Sequence, residues 1–435
     1  MNKNILLLVL SFVLQICAFA QEDTISDERV KKGWTFGAVP AIAYNSDIGF
    51  RYGGVVNFFN FGDGSTYPDY RHSMYLEWTR TTKGNGRNIL RYDSEYLIPK
   101  VRTSFTIDYL TEKALNFYGF NGYEALYNRN FINADSEEYI SRMYYRLEQK
   151  KFGFTLDLQG RFFKDNLFWV AGIGHTGIDM GTVTIAELNE GKDPDDMLPD
   201  TSLLYDNYVE WDIIPEDQKN GGNINLLKFG LVYDTRDNEP NPMSGMWTEV
   251  FLLTSPSFLW SDYAYTKLCI THRQYFTLIK KRLNFAYRLG YQAKIAGEMP
   301  FYMLPYLYAS NKPTVSGLGG SKTLRGILRN RVVGDSYLLG NLEFRWKFLR
   351  TVVFNQNLYI ALSAFSDFGY ITDKCEYPNP QNIDLIEDKD GLHSTLGGGL
   401  HFALNENFVL AVDYGLALDK RDGKKGIYIG LNFLY

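Results

Sequence analysis

Leu283-Asn284-Phe285-Ala286-Tyr287-Arg288-Leu289-Gly290-Tyr291-Gln292-Ala293-Lys294-Ile295 is the stretch whose alternation decides the fold class. One set of alternate positions carries Leu283, Phe285, Tyr287, Leu289, Tyr291, Ala293 and Ile295, and the other carries Asn284, Arg288, Gln292 and Lys294. Successive side chains of a strand point to opposite faces, so this is a strand with one apolar and one polar face. A soluble β-sandwich alternates too, with its apolar face inward. Length, number and polarity of the segments separate the two cases. Residues 338–348 set Leu338, Leu342, Phe344, Trp346 and Phe348 against Asn341, Glu343, Arg345 and Lys347. Such crowding of charge, repeated along the chain, reads as a wet lumen with the apolar face turned to lipid.

Working outward, the pattern predicts strands at 34–44, 48–61, 71–83, 87–98, 101–112, 143–162, 165–177, 224–236, 244–256, 261–277, 281–296, 335–348, 355–368, 393–404, 407–418 and 425–435. The expectation is an all-β, transmembrane antiparallel β-barrel of about 16 strands. If the first strand rises from the periplasm, connectors after odd strands are extracellular and should be the long ones. The longest, 113–142, 178–223, 297–334 and 369–392, all follow odd strands, and the third of these is the sixth extracellular loop. The chain ends with Ile427, Ile429, Leu431, Phe433 and Tyr435 on one predicted face, an ending that resembles the terminal-strand signal of outer-membrane barrels.

Composition agrees. Tyr (32) and Phe (30) are abundant while Pro (14) and Cys (3) are scarce, against a disordered chain or a disulfide scaffold. A net charge of −5 without a basic tract offers no nucleic-acid footprint. Residues 1–20 read as a signal peptide, with Lys3, the apolar run Ile5 to Leu14 and the cleavage site Ala18-Phe19-Ala20; Gln15 and Ile16 disfavour lipidation at Cys17. Residues 21–33 are then a short periplasmic segment, and 34–435 the barrel. Beyond the signal no apolar run reaches the length of a membrane helix.

Connector 297–334 stands apart, because it is apolar and glycine-rich: Val315-Ser316-Gly317-Leu318-Gly319-Gly320-Ser321-Lys322-Thr323-Leu324-Arg325-Gly326-Ile327. A loop so poor in acidic residues suits a position folded back into the lumen. Gly320 to Phe348 resembles the sixth-loop signature of the outer-membrane protein assembly factor superfamily, the bacterial surface antigen family. Leu324-Arg325-Gly326-Ile327 matches its Arg-Gly tip, with Ile327 where the family often has an aromatic. Three stretches support the resemblance: Phe229 to Asn238 with Asp234, Arg236 and Asp237, Phe365-Ser366-Asp367-Phe368-Gly369, and Val39 to Gly53. The resemblance implies that Arg325 and Gly326 enter the barrel and dock on acidic wall residues. Alternation places Asp367, Asp413 and Glu343 on the inward face, and a guanidinium, which keeps its proton, needs such partners. The expected loop lock is therefore Arg325 on some subset of Asp367, Asp413 and Glu343.

The family's implied activity is inserting or translocating polypeptides at the bacterial outer membrane, through a weak seam between strands 34–44 and 425–435. The form expected here lacks the periplasmic polypeptide-transport-associated repeats, so a separate periplasmic or lipoprotein partner would receive substrate. The expected partners are outer-membrane lipid and an unfolded or exported polypeptide, with no nucleic acid. The alternatives are a passive channel or structural surface protein, and a dedicated exporter of one partner. No enzyme is expected: His72, His175, His272, His393 and His401 lack a metalloprotease spacing and no nucleophile elbow is present. No cofactor or metal is expected. Connector 178–223 carries twelve acidic residues but lacks a calcium-loop pattern and reads as a solvated surface loop. Trp34, Trp169, Trp247 and Trp346 are candidates for interfacial girdles.

Overall fold

The computed structural model describes residues 30–435 apart from 46–48, 68, 164, 240, 311–312, 354–355, 377–388, 405–407 and 432. The expected signal at 1–20 and most of segment 21–33 lie outside the described residues. All sixteen expected strands are present. They are β1 (Trp34–Pro40, resumed at Ala43–Asn45), β2 (Gly49–Asn60), β3 (His72–Thr81), β4 (Gly86–Ile98), β5 (Val101–Asn116), β6 (Arg146–Arg161), β7 (Leu167–Gly181), β8 (Gly221–Asp234), β9 (Gly245–Ser255), β10 (Tyr265–Ile279), β11 (Leu283–Gly297), β12 (Ser336–Val353), β13 (Gln356–Asp373), β14 (His393–Leu404), β15 (Phe408–Ala417) and β16 (Lys425–Leu431).

Each strand pairs antiparallel with its sequence neighbours, and among the described residues no backbone pairing joins β1 to β16, so the sheet is not closed. Burial is inverted relative to a soluble sheet. Along β12, Leu342, Phe344 and Trp346 are 37–50% exposed, whereas Asn341, Glu343 and Arg345 are fully buried. An apolar face turned outward is stable against hydrocarbon, where it need not be hidden from water. The long connectors follow odd strands, as the parity argument requires, and three of them share one apolar core. It joins Tyr118, Phe120 and Tyr145 of 117–145, Leu204, Tyr208 and Ile214 of 182–220, and Phe301, Met303 and Tyr306 of 298–335. This cap covers one end of the sheet's polar face.

Four expectations change. The first strand breaks at Ala41–Ile42, just after Pro40, which has no N–H to give to a ladder. Trp247 is no girdle residue: its register opposite Asp234 and Arg273 puts it on the buried face, under the Arg273 guanidinium at 3.9 Å. The acidic connector is partly folded, with short helices Ile185–Asn189 and Leu204–Glu210, and Asp206 accepts from Leu203 N–H and Thr182 Oγ1. Ile427 and Ile429 face outward, but Phe433 and Tyr435 leave that face and are buried. The ladder to β15 ends at Leu431, and Tyr435 Oη donates instead to Ala286 O at 3.0 Å, with its ring under Arg288 and Arg345.

Candidate functional site

Five successive strands, β12 to β16, assemble a carboxylate cluster on the polar face, and the tip of connector 298–335 seats an arginine in it. Strand parity buries Glu343, Asp367 and Asp413 opposite exposed Phe344, Leu362 and Tyr414. Asn341 pairs with Asp367 across β12 and β13, and Asp413 pairs with Tyr428 across β15 and β16. Register alone therefore brings these groups into one patch.

Arg325 is fully buried there. Its Nε and Nη2 donate to the two oxygens of Asp367, both at 3.0 Å, and its backbone N–H donates to Asp367 Oδ2 at 3.0 Å. Nη1 donates to Glu343 Oε2 at 2.8 Å and, more weakly, to Asp413 Oδ2 at 3.5 Å. The guanidinium also stacks on Phe365, 3.4 Å from the ring centroid. The planar fork meets a carboxylate bidentately, and such charge-assisted bonds are the strong ones. Glu343 is shared, because Arg345 Nε donates to its other oxygen at 2.8 Å. Two guanidinium groups thus face three carboxylates, and His401 Nε2 lies 3.0 Å from Asp413 Oδ1.

Gly326 makes the approach possible. Its φ of 115° is outside the range comfortable for other residues, and a Cβ there would stand 2.8 Å from the Leu416 backbone. Its N–H donates to Tyr428 Oη at 2.9 Å. Leu324 and Ile327 flank the tip and are buried with Leu318, Val332, Tyr337, Leu339 and Ile371. Gly369 lets Leu324 close in, since a Cβ would meet Leu324 Cδ1 at 2.9 Å. Arg288 Nη2 and Asn341 Nδ2 hold the tip from the wall through the Lys322 and Thr323 carbonyls at 3.0 and 2.7 Å.

The structure thus brings together Arg325, Gly326, Glu343, Asp367 and Asp413, with Leu324, Ile327 and Gly369 beside them. Asp234, Arg236 and Asp237 belong elsewhere. Arg236 pairs with Asp234 at 2.7 Å and Asp237 Oδ1 accepts from the N–H groups of Met243 and Ser244, building the turn between β8 and β9 at the sheet's other end. In that turn Glu239 receives Arg102 of β5 at 2.9 Å. Sequence reasoning missed Tyr428, Phe365 as a stacking platform, and the Arg345 and Arg288 contacts. Tyr428 could have been found as the one side chain with a hydroxyl on the inward set of its strand.

This geometry defines a class: a lipid-facing β-sheet protein whose polar interior holds a long connector by a buried arginine. The Omp85 superfamily domain matches residues 83–434, and the chain belongs to that family. It is a bacterial outer-membrane protein. A search of curated proteins gave no match. Among solved structures, CdiB from Escherichia coli is similar with a TM-score of 0.56 at 11% identity, covering 93% of this chain and 63% of that one. BamA from Haemophilus ducreyi lacking POTRA domains 1–3 aligns at 17% identity and a TM-score of 0.49, over 92% of this chain and 69% of that one. The chain spans less than two thirds of CdiB.

Proposed function

We propose that this barrel inserts polypeptides into the outer membrane or translocates them across it, receiving them from a separate periplasmic partner, and that it is not an enzyme. One observation carries the reading: among the described residues no backbone pairing joins the first strand to the last, in a wall whose other neighbours are all laddered. A free edge is a template for an incoming strand, with main-chain hydrogen bonds supplying affinity without regard to sequence. The polar face is then the lumen, the cap its extracellular lid, and Arg325 the lock that holds the lumen's loop in place. A lidded lumen speaks against a passive channel.

Export of a single partner uses the same parts, and one experiment separates the readings. The protein is depleted, wild type or Arg325→Ala is supplied at matched expression, and the outer-membrane proteome and surface lipoproteins are quantified. Loss of several barrels, rescued by wild type and not by Arg325→Ala, is the expected result. Loss of one surface or secreted protein identifies an exporter. An unchanged proteome refutes both.

A further inference from the structure

Away from the lock, at the cap, His393 opens β14 with its ring fully buried. Nδ1 lies 2.8 Å from Asp422 Oδ1 and Nε2 lies 2.9 Å from Asp390 Oδ1. A carboxylate oxygen only accepts, and a neutral imidazole has a single N–H, so both contacts are hydrogen bonds only when the ring is an imidazolium. The three groups come from three places: the start of β14, connector 374–392 and connector 418–424.

A fourth segment joins them. Tyr123, in 117–145, has its ring centroid 4.2 Å from the imidazole, donates Oη to Asp422 Oδ2 at 2.7 Å and gives its backbone N–H to Asp390 Oδ1 at 3.1 Å. Gly122 fits so closely that a Cβ would stand 2.9 Å from His393 Nε2. Arg421 stacks on Tyr123 at 3.8 Å and pairs with Asp419 at 2.7 Å. The connector carrying Arg325 is tied to the same node. Leu328 N–H donates to Asp422 O at 3.0 Å, and Arg331 gives its guanidinium to the carbonyls of Arg421, Gly122 and Ala125 at 2.7–3.0 Å.

We propose that protonated His393 is a clasp that fastens these four connectors into a closed cap, and that loss of its proton unfastens the cap and loosens the connector bearing Arg325. Without the proton a ring lone pair faces a buried carboxylate oxygen at hydrogen-bonding distance. The charged and titratable groups around the ring are Asp390 and Asp422 directly, then Tyr123, Arg421, Asp419 and Arg331. The arginines do not titrate. Burial and the adjacent Asp422 push the Tyr123 phenol well above its ordinary range, so it stays neutral throughout. The contribution of the clasp is therefore complete while the ring is doubly protonated and is lost as pH rises through its titration.

The test is limited proteolysis of the full chain in detergent micelles from about pH 6.5 to about pH 9.5. Cleavage within 117–145 and 320–333 is normalised to an unstructured substrate, and heat-modifiable migration confirms a folded barrel. Wild type should be protected at the acid end and cut on the order of tenfold faster at the alkaline end, since hydrogen bonds to charged groups are worth about that much. His393→Phe should be cut rapidly at every pH. Asp390→Asn, which leaves Asp422 as the single carboxylate, should move the midpoint to lower pH, a change that a merely structural role would not produce. Protection that ignores pH in wild type, or an unmoved midpoint in Asp390→Asn, overturns the proposal. Neither outcome bears on whether the barrel handles polypeptides.

Discussion

Asp367→Asn should release the Arg325 connector while leaving the sheet intact. Asp367 receives three hydrogen bonds from Arg325, each 3.0 Å, two from the guanidinium and one from the backbone. Asparagine preserves the volume but turns an NH2 group toward a guanidinium N–H, so a donor meets a donor. Breaking a buried ion pair by removing one partner costs about 3–5 kcal/mol. Glu343 still holds Nη1 at 2.8 Å, which places the expected loss near the lower end, about 3 kcal/mol. At 1.4 kcal/mol per factor of ten this is roughly a hundredfold shift toward the released connector. Hydrogen–deuterium exchange of 317–333 in the purified barrel reads that shift as faster opening. Asp413 gives Arg325 a single 3.5 Å contact, to a nitrogen that Glu343 already holds, and its other partner His401 lies on the wall, so Asp413→Asn should change exchange of the connector by about tenfold or less. Equal exchange in the two variants, or an increase across β12 and β13 as large as that in the connector, would refute separate anchoring by Asp367.

Gly326→Ala should undock the same connector by sterics alone, because the Cβ would press on the Leu416 backbone at 2.8 Å; trypsin cleavage at Arg325 should rise with no change in strand content by circular dichroism. Tyr428→Phe removes the hydroxyl that receives Gly326 N–H at 2.9 Å, and should weaken docking by about 1–2 kcal/mol in the same exchange assay. The Glu239 side chain is 44% exposed, and its partial desolvation is outweighed by the Arg102 and Arg236 guanidinium groups beside it, which hold the carboxyl at about 2. A carboxyl depressed in the folded state stabilises above its unfolded value near 4.3 and loses that contribution as pH falls toward 2. Thermal unfolding of wild type should therefore drop more steeply below about pH 4 than that of Glu239→Gln. Backbone exchange should be faster in β1, none of whose Trp34–Pro40 side chains is buried, than in β12.

Strand number, order and parity were legible because each depends on a local rule, the period-two alternation, repeated sixteen times. The carboxylate partners of Arg325 were legible for the same reason, since alternation decides which side of the wall Asp367, Asp413 and Glu343 occupy. What alternation cannot convey is how far a side chain lies along the wall from another. Trp247 was misplaced because an aromatic on a strand looks alike whether it meets lipid or two arginines. Tyr435 was misplaced because its fate depends on where the β15 ladder runs out. The cap was invisible because 117–145, 182–220 and 298–335 bury their aromatics against one another without periodicity. In the His393 cluster Asp390 stands three residues before the histidine, but Asp422 comes from another connector and Tyr123 from hundreds of positions away, so the sequence does not announce the node.

The ties that fix the interior are unevenly distributed. Arg325 is bonded to β12, β13 and β15, Gly326 to β16, Tyr435 to β11 and β12, and the His393 node to the connectors around β14 and β15. The wall from β11 to β16 is thus braced from within, and the connector carrying Arg325 also ties β5, β8 and β9 through Arg329–Glu112, Ser310–Lys228 and Ser310–Glu249. At the other end of the sheet β1 is short and interrupted, and among the described residues its ladder runs to β2 alone. A cut in a sheet opens toward its less braced side, because fewer non-ladder contacts are lost there. Widening between β1 and β16 is therefore expected to cost fewer contacts on the amino-terminal side than at β16. On the function proposed above, Arg325 therefore braces the β16 side of the seam by tying β12, β13 and β15 to one connector tip, and the amino-terminal side is the one expected to yield.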